Sequence, residues 1–131
     1  MSDCIFCKIT AGETPCYKVY EDKKYLGFLD INPRGSGHSL LIPKKHYRWT
    51  YDVSNFGEYF EVARILAMAI KKVVDPKYIS LQTFGVIAPH AHIHIVPYFT
   101  LTEDFPERKK LDPLIAGALS HKIRATLSLR F

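Results

Sequence analysis

Residues 89–97 read PHAHIHIVP, and the alternation in this stretch decides how the chain is laid out. His90, His92 and His94 alternate with Ala91, Ile93 and Ile95. On a strand, successive side chains point to opposite faces, so three imidazoles stand on one face and three apolar side chains on the other. Neighbours in such a row lie about 6.5–7 Å apart along the backbone. The apolar row can pack on a helix, which leaves the histidines facing a cleft or a metal.

Three chemistries can use such a row. It can be a polar strand face, although three histidines in strict alternation, from a total of six in the chain, fit that reading poorly. It can ligate a catalytic zinc, which also needs a general base and an open coordination position. No glutamate stands near the row to serve as that base. Or one imidazole can attack phosphorus while its neighbours fix its tautomer and offset phosphate charge.

Working outward, the apolar run AHIHIVPYF (91–99) is preceded by a second β-rich segment, KYISLQTFG (77–85). Before these, Phe56, Tyr59, Phe60, Ala63, Leu66, Ala67, Ile70, Val73 and Val74 recur at steps of three and four. That spacing predicts a long amphipathic helix, capped from Ser54 and ended before Pro76. Three further strands are expected at CYKVY (16–20), KYLGFLDI (24–31) and HSLLIP (38–43), with NPRGSG (32–37) as a loop. A short N-terminal helix, capped by Ser2 or Asp3, should stop near Gly12, and Asp112-Pro113 should open a final helix. The expectation is an α+β fold within one domain over residues 1–131. It has an antiparallel sheet of about five strands, one long helix, and short N- and C-terminal helices.

At 131 residues, with 47% hydrophobic and 24% charged residues, the chain can bury one core. No apolar run is long enough for a membrane span, and MSDCIFCKIT lacks the pattern of a secretory signal, so a cytoplasmic location is expected. The net charge of +5 suits a phosphate-bearing ligand. The lysines are scattered in KK doublets rather than gathered on one face with aromatics, which argues against nucleic acid as a partner. Cys4-x-x-Cys7, with a third cysteine at 16, reads in a reducing compartment as metal or redox chemistry.

The pattern HAHIHIV resembles the signature of the histidine triad (HIT) nucleotide-binding family. CIFCKITAGETP, VYEDKKYLGFLDINP and GHSLLIPKKH resemble that family's preceding motifs, in the same order. The likeness spans roughly residues 4–99 and leaves 100–131 unassigned. It implies that His92 is a nucleophile forming a covalent nucleotidyl-histidine at an α-phosphorus, with His94 and His38 as supporting histidines. It implies that Asp30 takes the ribose hydroxyls. Ile5, Phe6, Ile9, Phe28, Ile31 and Leu40 would form a purine slot, although ordinary core packing would also explain these six. The resemblance further implies a structural zinc on Cys4, Cys7, His46 and His90, of the kind found in the zinc-bearing, Hint-like branch, and a homodimer. Two thiolates and two imidazoles make a closed tetrahedral zinc site.

The family's usual Gln and Ser/Thr contacts to phosphate are replaced here by Val86 and Ile87, with Gln82 or Thr83 left to stand in for a missing asparagine. The expected function is therefore a phosphoramidase, hydrolase or nucleotidyl transferase acting on purine nucleoside monophosphate derivatives. The alternative is a nucleotide-binding regulatory protein with little or no turnover.

Overall fold

The computed structural model describes residues 3–128. Its elements run α1 (Ile5–Thr10), β1 (Lys18–Glu21), β2 (Tyr25–Leu29), β3 (Ser39–Pro43), α2 (Phe56–Val74), β4 (Tyr78–Gln82), β5 (Ile93–Tyr98) and α3 (Pro113–Ser128). The strands form one sheet in the order β1-β2-β3-β5-β4, every neighbouring pair antiparallel.

Alternation along the central strands builds two cores. Leu29, Leu41, Ile93 and Ile95 face α2 and meet its inner stripe of Tyr59, Val62, Ala63, Leu66 and Ile70. Leu26, Phe28, Leu40 and Ile42 point the other way, into a smaller cluster closed by Phe6 of α1. The strands can therefore be apolar on both faces while the histidines remain on the second. Gly27 on β2 faces α2 so closely that an added Cβ would lie 3.0 Å from Leu66 Cδ2. Ala116, Leu119, Ile123 and Leu127 of α3 complete the first core. No helix among the described residues is long and apolar enough to cross a membrane.

The elements depart from the sequence expectations mainly at their ends. Of the two expected caps for α1, Ser2 lies outside the described residues. Cys4 rather than Asp3 holds the cap, its sulfur accepting from the Cys7 amide at 3.3 Å. Asn55, not Ser54, precedes α2, and the Ser54 hydroxyl pairs with Tyr47 Oη at 3.0 Å. A 3-10 turn at Thr50–Asp52 was not foreseen. β5 begins at Ile93, so His90 and His92 stand in an irregular lead-in: His90 N–H bonds Ala88 O within the turn, and Ala91 N–H bonds Tyr47 O. Pro113 opens α3, and the Asp112 carboxylate accepts from the Leu114 amide at 3.0 Å, as the sequence suggests.

Candidate active site and metal centre

His94 sits mid-sheet, level with Leu40 on β3 and Gln82 on β4. His92 lies just before β5, and its ring centroid is 5.0 Å from that of His94, closer than the backbone spacing of the row. Two anchors explain the convergence. Thr83 Oγ1 donates to the His92 carbonyl at 2.9 Å, and Thr83 is itself bonded to Thr50. Phe6 packs edge-on against the His92 ring at 5.3 Å.

The protons on these rings follow from groups that can only donate or only accept. The Arg34 amide donates to His38 Nδ1 at 2.9 Å, so a neutral His38 carries its proton on Nε2. That Nε2 stands 2.9 Å from His94 Nδ1 and donates to it. His94 therefore carries its proton on Nε2. His92 Nδ1 stands 2.9 Å from the His90 carbonyl, which can only accept, so its proton is on Nδ1. The lone pair of His92 is left on Nε2, and the residue lines an open cavity of about 690 Å³. One ring thus offers a nucleophilic nitrogen beside another that offers an N–H.

Burial keeps the rings neutral. His38 is pushed down to about 4, mainly by desolvation, which outweighs the attraction of nearby Asp30. His94 is pushed down to about 3 by desolvation and by the histidines around it, and His92 is lowered for the first of these reasons. An unfolded chain takes up these protons near pH 6.5, whereas the folded chain resists them until about pH 4 or 3. Stability from this pair is therefore complete above pH 6.5 and is lost as pH falls toward 3. Between pH 7 and 5 the loss has an upper bound of about 2 kcal/mol per ring. Thermal melts across that range should fall steadily. In a His38→Gln/His94→Gln double variant the slope should shrink.

A second constellation lies on the far side of His90. The ligand atoms of Cys4, Cys7, His46 and His90 all lie within 4.8 Å of one another. His90 Nε2 stands 2.8 Å from the Pro43 carbonyl and donates to it, which leaves the Nδ1 lone pair facing Cys4 Sγ at 3.3 Å and Cys7 Sγ at 3.5 Å. His46 Nδ1 reaches Cys7 Sγ at 3.3 Å. Both thiols are free, and Cys7 is pushed up to about 11 by burial and by the neighbouring Cys4. Two thiols so placed resist ionising together, a conflict that a divalent cation resolves. The donor set and the outward-bonded His90 fit a tetrahedral zinc. Asp30, His38 and His94 also bring three potential ligand atoms together. His38 Nδ1 already accepts the Arg34 amide, so its Nε2 carries a proton and is no ligand.

Of the expected site residues, Phe6, Asp30, Leu40, Gln82, His92 and His94 line the cavity. Phe28 and Ile9 support it from the smaller core, while Ile5 and Ile31 are largely exposed and stand outside its wall. Gln82 donates to Ser80 and Tyr98 hydroxyls. Val86 and Ile87 are 78% and 97% exposed at the rim. Gly85, at φ +100°, turns this loop under Trp49, whose ring would sit 3.1 Å from an added Cβ. Sequence reasoning did not foresee Arg34, Phe84, Phe105 and Arg108 in the wall. The last two come from the unassigned C-terminal stretch, and no local pattern marks them.

Comparison with known proteins identifies the family and the fold. The HIT domain family matches residues 11–101. The chain is 38% identical over 112 residues to the "Protein hit" of Bacillus subtilis, covering 79% of this chain and 76% of that one. It is 38% identical over 98 residues to an adenosine 5'-monophosphoramidase of Schizosaccharomyces pombe, covering 72% and 73%. Among solved structures, a hypothetical histidine triad nucleotide-binding protein of Sulfolobus tokodaii superposes with a TM-score of 0.84 at 30% identity, over 96% of this chain and 93% of that one. A zinc-bound histidine triad family protein of Mycobacterium smegmatis superposes with a TM-score of 0.83 at 26% identity, over 98% and 96%.

Proposed function

The chain belongs to the HIT domain family, and from that premise we propose that it is a phosphoramidase, hydrolase or nucleotidyl transferase acting at the α-phosphorus of purine nucleoside monophosphate derivatives. The observation that carries this reading is the His92 tautomer: Nδ1–H is held by the His90 carbonyl, which leaves Nε2 unprotonated on a residue that lines the cavity. In this reading Nε2 attacks phosphorus, the bond to the leaving group breaks, and a nucleotidyl-His92 forms. The N–H on His94 Nε2 donates to the phosphoryl oxygen or the departing atom, backed by the His38 proton relay. Water or another acceptor then attacks the same phosphorus and regenerates His92. Asp30, 8% exposed beside His38, offers carboxylate oxygens to the ribose diol. Phe6 and Leu40 flank the base.

The same reading places a structural zinc on Cys4, Cys7, His46 and His90, where it would tie α1 to the segment that carries His92. A homodimer belongs to the reading through the family resemblance, and light scattering on the purified protein tests it. The cytoplasmic placement expected from the sequence belongs to it as well. The activity is tested by following AMP release from adenosine 5'-phosphoramidate.

One observation favours a second reading. Val86 and Ile87 give the rim no side-chain hydrogen-bond donor for phosphate. A missing preorganised donor can cost about 10²–10³ in rate. Saturable AMP binding with no AMP release would favour a regulatory nucleotide-binding role.

A further inference from the structure

The stretch 99–112, between β5 and α3, has neither helix nor strand, yet it is tied to the loop after β2. Lys109 N–H donates to Pro33 O at 2.8 Å, Leu111 N–H to Ile31 O at 2.9 Å, and Arg34 Nη1 to Pro106 O at 2.9 Å. These bonds carry Arg108 over the carboxylate assigned to the ribose. Its Nη1 donates to Asp30 Oδ2 at 3.2 Å and to Asn32 O at 2.7 Å. Asp30 Oδ1 accepts the Asn32 amide at 2.8 Å. Both oxygens of Asp30 are therefore engaged before any ligand arrives.

Two requirements now meet at one side chain. A ribose diol needs two acceptor positions on Asp30, and the most accessible donor to displace is Arg108, whose side chain is 40% exposed. A phosphate in the same cavity needs positive charge. Val86 and Ile87 bring none, and Arg34 and Arg108 are the two cationic side chains in the wall among the described residues. Arg34 is committed to Pro106 O and to the Phe105 ring, 5.0 Å from its centroid. The charge of Arg108 already acts on His94, which lines the cavity beside His92, and on His38 behind it.

We propose that Arg108 is a substrate-binding residue that changes partner: it caps Asp30 while the pocket is empty, yields that carboxylate to the ribose diol, and then neutralises the nucleotide's phosphate. This rests on the nucleotide reading of the site and adds to it a residue from outside the triad motifs. The exchange makes binding selective for ligands that carry both a ribose diol and a 5'-phosphate. A nucleoside must displace the guanidinium and gains nothing from its release.

Calorimetric titration of adenosine, guanosine, AMP and GMP into the wild type, Arg108→Met and Arg108→Lys tests this. Arg108→Met should tighten nucleosides by roughly threefold, because Asp30 Oδ2 is released from Arg108, and weaken nucleotides by roughly tenfold, the size of one charge-assisted hydrogen bond at a half-exposed site. Arg108→Lys should keep nucleotide affinity within about threefold of wild type, since a point charge still reaches phosphate. A merely structural role would move nucleosides and nucleotides in the same direction. Equal shifts for both ligand types in Arg108→Met would overturn the exchange and leave the nucleotide reading standing. So would a lysine variant that binds nucleotides as weakly as the methionine variant. If the wild type binds none of the four, the nucleotide reading falls and the exchange falls with it.

Discussion

His92→Ala removes AMP release from adenosine 5'-phosphoramidate by at least about 10³-fold, while the variant still binds AMP. The size follows from the tautomers. Among His38, His92 and His94, only His92 keeps a ring nitrogen lone pair that no hydrogen bond uses, and its ring lines the cavity. His38 Nδ1 is used by the Arg34 amide, and His94 Nδ1 by the His38 proton. His94→Ala should cost less, about 10²–10³-fold, because it deletes a donor rather than the nucleophile. Steady-state assays on both variants check the ranking. If His94→Ala were the more damaging, the roles of the two rings would be exchanged.

The second large effect concerns the metal. Stripping zinc with a chelator, or substituting Cys4→Ser, should lower the melting temperature by about 10 °C or more. A cation present at a thousand times its dissociation constant adds about 4 kcal/mol to the folded state, and each kcal/mol moves a chain of this size by about 3–5 °C. Activity should fall with it, because the carbonyl that fixes the His92 tautomer belongs to His90, the residue whose ring faces the two sulfurs. Metal uptake should also release protons, since Cys7 does not ionise readily without a cation. Metal analysis of the purified protein, followed by melts with and without chelator, checks all three statements. A protein that contains no zinc and melts identically in chelator would contradict this assignment.

These expectations rest on features that differ in how far the sequence displays them. The alternation of His90, His92 and His94 with Ala91, Ile93 and Ile95 is a local, period-two signal. It places the apolar row against α2 and the histidines on the other face, as the two cores bear out. The stripe from Phe56 through Tyr59, Ala63, Leu66 and Ile70 to Val74 is equally local, and α2 spans Phe56–Val74. Element ends were less legible, because caps depend on partners outside the window: Cys4 caps α1 through its sulfur, and Tyr47 takes the Ser54 hydroxyl. The N-H donor on His94 was invisible in the sequence, since it depends on a backbone amide at Arg34 and a ring at His38. Least legible was Arg108. It reaches Asp30 across 78 residues of chain, from a stretch with no regular structure and no motif. Spacing rules capture periodic packing, whereas a long side chain from a connecting segment is placed only by the assembled fold.

The most direct test of the central claim is a rapid mix of the wild type with adenosine 5'-phosphoramidate. The reaction is quenched in alkali, where a phosphorus–nitrogen bond survives, and read by intact and peptide mass spectrometry. A transient species heavier by one AMP residue is expected, with the added mass on the peptide carrying His92 and absent in His92→Ala. AMP released at full rate with no such species at any time, or with the added mass on another residue, would contradict it.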